Sequence, residues 1–162
     1  MKAYKIISEI YGNSVAKRSG APLINHINEG LVVLKNLGTS LYAQEAYMVH
    51  PITQNNEYFD KYHHRLYELN GRTVLYAMEY AKTANNWLCG MPRPKTPLSS
   101  IFEVNQMLVA DKIQNRKDFE IYHKATHENS AALDQYFKDW LEVLCVPEEA
   151  YRYHVDLIKE NA

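Results

Sequence analysis

The chain has 162 residues, of which 23% are charged and 46% hydrophobic, and its formal net charge is −1. That length suits one domain, burying about 70% of its unfolded surface, and the balanced charge argues against a dedicated nucleic-acid binder, which carries an overall basic excess. Cys89 and Cys145 stand far apart and in no C-x-x-C pattern, which argues against a disulfide framework or a cysteine-rich zinc site and makes a reducing cytoplasm the expected compartment.

The opening residues "MKAYKIISEIYGNS" are interrupted by Ser8, Glu9 and Tyr11, so no signal-peptide apolar core is expected there. No stretch approaches the roughly 18 apolar residues of a membrane span, and a soluble protein is expected. Strand signals are scarce, and Gly and Pro fall between segments of helical period, so the predicted fold class is all-α. A first helix is expected near Tyr4 to Tyr11, followed by the loop "GNSVAKRSGAP". A second runs from about Leu23 to Asn36, with Ile24, Ile27, Leu31 and Leu34 on one face and Gly38 as its stop. A third spans about Leu41 to Val49 and is closed by Pro51, which lacks an N–H and favours extended backbone at His50.

The polar segment "TQNNEYFDKYHHR" reads as a short helix or a loop. A long helix from about Arg72 to Trp87 places Val74, Leu75, Met78 and Ala81 at core spacing, and "CGMPRPKTPLSS", with three prolines, is a surface loop. Further helices are expected from about Ile101 to Asp118, Ser130 to Leu144 and Glu148 to Lys159. There is no internal repeat or low-complexity tract. The 13 tyrosines fit amphipathic positions at the core edge.

Several constellations could carry chemistry. In "AKRSGAPLINH", Lys17 and Arg18 stand beside a Ser-Gly turn before a helix; the segment reads either as a phosphate cradle of backbone donors and two cations or as a solvated loop. His26, His50 and Asp111 lie in three different helical segments. They would form a 2-His-1-carboxylate metal face if the fold brings them together, and core residues bonded to backbone if it does not. His63 and His64, being adjacent, point apart on a helix and read as polar surface. His123 and His127 are four apart and so a candidate metal pair, but the favoured reading of "HKATHENS" is a helix start capped by Ser130.

Together these segments resemble the hydrolase domain of RelA/SpoT-type alarmone enzymes, a branch of the HD-domain phosphohydrolases. "KRSGAPLINHI" resembles the segment that leads into that family's first metal-binding histidine. "AYMVHP" falls where the family carries its His-Asp, "LVADKIQN" resembles its "LADKLxN" element, and "YFKDWLEVL" resembles its Tyr-Phe-x-Trp helix. The resemblance, from about Lys17 to Leu144, implies an HD-domain-like helical bundle and a purine-nucleotide or alarmone-like ligand. It assigns His26, His50 and Asp111 as three of four metal ligands, and Lys17, Arg18, Asn115 and Tyr136 as nucleotide contacts.

Pro51 stands at the position of the family's aspartate, and Gln54 and Asn55 stand where the family has a Glu-Asp pair that activates water. The implied ion, for example manganese, would be weakly bound or absent, and losing a catalytic base costs on the order of 10²- to 10⁴-fold in rate. Gln54 and Asn55 as neutral amides would meet phosphate without repulsion. The expected function is therefore an HD-fold binder of a phosphorylated nucleotide with weak or no hydrolysis. Two alternatives stay open: an active phosphohydrolase with a rearranged site that recruits Glu57 or Asp60, and a protein-interaction module with a vestigial pocket and an apolar patch around "EYAKTANNWLCGMP". A homo-oligomer is compatible with either.

Overall fold

The computed structural model describes residues 1–17, 19–89 and 98–161, with residues 86–89 described by their backbone alone. Arg18 and most of the proline-rich loop lie outside the described residues, as does much of the segment 79–92 read as an apolar patch. The fold is an all-α bundle. Its helices are α1 (Lys2–Tyr11), α2 (Leu23–Asn36), α3 (Leu41–Gln54), α4 (Asn56–Tyr62), α5 (Gly71–Cys89), α6 (Phe102–Asp118), α7 (Ser130–Val143) and α8 (Glu148–Asn161). A 3₁₀ turn (His63–Glu68) follows α4, and a π turn (Phe119–His123) extends α6. Among the described residues no strand forms; one isolated bridge, Val15 to Pro22, closes the loop after α1. No helix of the described residues is long and apolar enough to cross a membrane.

The predicted face of α2 buries Ile27, Leu31 and Leu34, with Ile24 half-buried. Gly38 ends the helix with φ +66°: its N–H bonds the Lys35 carbonyl, and the Thr39 N–H bonds the Leu34 carbonyl. This Schellman arrangement needs a left-handed residue, which glycine adopts without a Cβ clash. Ser40 then caps α3 by accepting from the Ala43 N–H at 3.3 Å.

Helix α3 corrects one expectation. It does not stop at Val49 but continues through Pro51 to Gln54, so His50 is helical. The break comes at Asn55, whose extended backbone ends α3 and whose side chain caps α4 by accepting from the Tyr58 N–H at 3.0 Å. Helix α5 corrects another. Leu75 and Met78 are exposed, and among its described side chains the buried ones are Thr73, Tyr76, Ala77, Tyr80, Ala81, Thr83 and Ala84. The alanines let α5 lie close against α3, and Tyr76 and Tyr80 are buried on the same helix. Ser130 is the first residue of α7 rather than its cap, and its hydroxyl donates to the Lys124 carbonyl at 2.6 Å.

Helix α6 is the axis of the bundle. It touches α2, α3, α5, α7 and α8, and it buries polar as well as apolar residues: Asp111, Lys112, Gln114, Arg116 and Lys117 beside Val104, Met107, Leu108 and Ile113. Arg116 binds Glu148 through both terminal nitrogens at 2.7 and 3.1 Å, reaches Glu120 at 3.2 Å, and stacks on Tyr151 at 4.0 Å. This fork ties α8 to the end of α6.

Candidate metal centre

Three polar side chains from three helices meet where α2, α3 and α6 face one another. His26 Nε2 lies 3.3 Å from His50 Nε2 and 3.4 Å from Asp111 Oδ1, and His50 Nε2 lies 4.0 Å from the same oxygen. A point equidistant from atoms with those separations lies about 2.1 Å from each, the usual ligand distance of a divalent transition ion to imidazole and carboxylate. The group could hold a metal ion.

The far nitrogens of both rings are already engaged. His26 Nδ1 is 2.6 Å from Gln114 Oε1, and His50 Nδ1 is 2.6 Å from the Tyr47 carbonyl. Both of these oxygens are acceptors, so each Nδ1 carries a proton, and the Nε2 atom of each ring is the one that faces the carboxylate. The orientation of Gln114 is fixed in turn. Its amide nitrogen donates to Glu29 Oε2 at 2.9 Å and to Asp118 Oδ2 at 2.8 Å, which turns Oε1 toward His26. Lys117 pairs with both of those carboxylates at 2.9 and 2.8 Å. Such outer partners set the tautomer and aim of a metal-binding histidine.

Burial, and behind it the neighbouring His26, pushes His50 down to about 3, so it stays neutral and keeps its lone pair. Burial works against ionisation of Asp111, but Lys112, then His26 and His50, outweigh it and hold the carboxyl well below the usual range. Lys112 Nζ lies 2.7 Å from Asp111 Oδ2, over the ring of Trp140 at 5.0 Å and near that of Tyr136 at 5.9 Å. Burial alone would lower Lys112; the Asp111 charge and then Tyr136 raise it, and it remains an ammonium. The pair leaves only Oδ1 of Asp111 directed at the histidines. Lys112 also returns the positive charge that Asp111 removes, so a dication held here would keep its double charge.

The centre lies in the wall of a cavity of about 570 Å³. Gln54, Asn115 and Tyr136 of the sequence-predicted residues line it with His26, His50 and Asp111; so do Pro51, Asp118, Phe119, His123, His127 and Phe137. Lys17 is exposed and outside the lining, as are Glu57 and Asp60 on α4. Asn55 is spent on its helix cap. The loop read as a backbone cradle uses its donors internally: the N–H groups of Ala16, Gly20 and Leu23 bond the carbonyls of Ala21, Ala16 and Ser14, and Ala21 N–H meets Ser19 Oγ. Those four N–H groups are therefore not free to cradle a phosphate. Among the described residues of the lining, Lys112 is the only Lys or Arg.

Sequence reasoning passed over Lys112, Gln114, Glu29 and Asp118. Asp111, Gln114, Asn115 and Asp118 follow the i, i+3, i+4, i+7 spacing of one helix face, a polar stripe that carried the signal. Compared with known proteins, the chain matches no family model, no curated protein and no solved structure.

Proposed function

We propose that the cavity binds a phosphorylated small molecule, a purine nucleotide or alarmone-like compound, through a divalent ion held by His26, His50 and Asp111. The fold is read as a helical bundle of HD-domain type. One observation carries the reading: three possible ligand atoms from three helices converge within 4.8 Å of one another, while the Nδ1 of each histidine faces an oxygen on the side away from them. Bound there, a divalent ion supplies Lewis-acid contact to phosphate oxygens. Lys112 adds positive potential, and Gln54 and Asn115 present amides that do not repel an anion. The cavity volume is in the range of small-molecule sites, and Phe119, Tyr136 and Phe137 offer ring surface to a base.

The site holds its ligand rather than cleaving it quickly. Asp111 divides its oxygens between the histidines and Lys112, and Asp118 accepts from Gln114 and Lys117. Both carboxylates of the described lining are thus engaged, which leaves the imidazoles of His123 and His127 as the bases that slow hydrolysis would use. The test is calorimetric titration with Mn²⁺, then with pyrophosphate or a purine nucleotide, alongside a phosphate-release assay. One ion per chain, ligand binding that requires it, loss of both in His50→Ala, and slow release are expected. A chain that takes up no ion at millimolar concentration would refute the metal centre, and brisk turnover would refute the holding role.

A further inference from the structure

We infer that Pro51 is a positioning residue for the metal centre: it removes the N–H that would occupy the Tyr47 carbonyl and so leaves that carbonyl to fix the tautomer of His50. The inference rests on the reading of His26, His50 and Asp111 as ligands and extends it to a residue whose side chain can ligate nothing.

In an α-helix the N–H of residue 51 bonds the carbonyl of residue 47. Helix α3 runs from Leu41 to Gln54 with Pro51 inside it, so this one link is missing. The Tyr47 carbonyl is not left alone, because His50 Nδ1 approaches it to 2.6 Å. A buried carbonyl without a partner is costly, and the imidazole N–H supplies one. His50 is itself buried, so no solvent competes for its Nδ1 proton. The two demands are met together: the backbone gap closes and the ring is held with Nδ1 protonated. Its Nε2 lone pair then points at His26 Nε2 and Asp111 Oδ1.

His26 shows the same logic by a different device, with Gln114 Oε1 as the acceptor for its Nδ1 proton. The chain thus provides each imidazole with a dedicated acceptor on the side away from the centre, one from a side chain and one from the backbone. The backbone acceptor is freed by the proline.

The experiment is Pro51→Ala. The variant regains a helix hydrogen bond and sheds a residue that disfavours helix interiors, so its Tm should rise. The same restored N–H takes the Tyr47 carbonyl, and the ¹⁵N shifts of the His50 ring in metal-free protein should move from the Nδ1–H pattern of the wild type toward Nε2–H. Mn²⁺ or Co²⁺ affinity should fall by roughly 10- to 100-fold, the usual loss when an outer partner of a ligating histidine is removed. A purely structural role would move stability and affinity in the same direction. An unchanged His50 tautomer in Pro51→Ala would overturn the inference, as would unchanged affinity in a protein that binds the ion. If the wild type binds no ion, the metal reading fails by itself, and the tautomer comparison still decides the role of Pro51.

Discussion

Replacing Gly30 by alanine sets two ordinary effects against each other. Gly30 lies inside α2, where alanine is favoured over glycine by about 1 kcal/mol. Helix propensity alone therefore predicts a more stable protein. A Cβ at this position, however, would overlap the Tyr47 ring and hydroxyl. Tyr47 is fully buried, with its ring centroid 5.8 Å from that of His26 and 4.9 Å from that of His50, so it has no free side to move toward. Overpacking of this kind costs about 1–3 kcal/mol, and displacing the phenol also loses its 3.4 Å hydrogen bond to the His26 carbonyl, about 0.5–1.5 kcal/mol. The net expectation is destabilisation by about 1–3 kcal/mol, a Tm lower by roughly 3–10 °C for a chain of this size. Urea unfolding should show a lower midpoint with an unchanged slope. In the Gly30→Ala/Tyr47→Leu double variant the alanine should cost less than in the wild-type background, giving a coupling energy above about 0.5 kcal/mol. A midpoint that rises in Gly30→Ala would show that α2 and α3 are not packed as described.

Three other outcomes follow from the same geometry. Gln114→Leu should destabilise by about 2–4 kcal/mol, because it strips hydrogen bonds from His26, Glu29 and Asp118, and it should weaken Mn²⁺ binding by roughly 10- to 100-fold in calorimetry. Arg116→Met should cost about 1–3 kcal/mol in urea unfolding rather than the larger penalty of a sealed ion pair, since Glu148 is half exposed and Arg152 still reaches Glu148 and Glu120. The pH dependence has a definite sign: His50 sits at about 3 when folded against an ordinary 6.5, so the unfolded chain takes up the proton first. Metal-free protein should lose about 1.4 kcal/mol per pH unit from this group as pH falls below about 6.5. Asp111 is also depressed, so its contribution is present above the ordinary carboxylate range and lost only at lower pH. Equilibrium unfolding that is flat between pH 6.5 and pH 5 would contradict the burial of a neutral His50.

Much of the helical outline was legible because it rests on local rules. The α2 face repeats at helical spacing and its end carries a glycine that only a left-handed turn requires. Helix α3 was misjudged at Pro51 because a local steric rule was overridden by a side chain bonding the orphaned carbonyl. Helix α5 was misjudged at Leu75 and Met78, which are exposed, while Ala81 of the expected set is buried together with Ala77 and Ala84. The three candidate ligands came from residue type and family resemblance. Their supports did not: Gln114 meets His26 across a separation of 88 residues, a distance no local pattern spans. Lys112 carried no signal of its own in the sequence, and it is buried because α6 is surrounded.

That surrounded helix divides the cavity into parts with different freedom to change. Asp111, Lys112, Gln114, Asn115 and Asp118 all belong to the strut that organises the bundle, so any alteration there is also an alteration of folding. Ala16, Ser19, His123 and His127 come instead from two segments outside the regular α-helices. Substitutions in those segments reshape the lining without touching the central strut, whereas any change on the strut is felt by lining and fold alike.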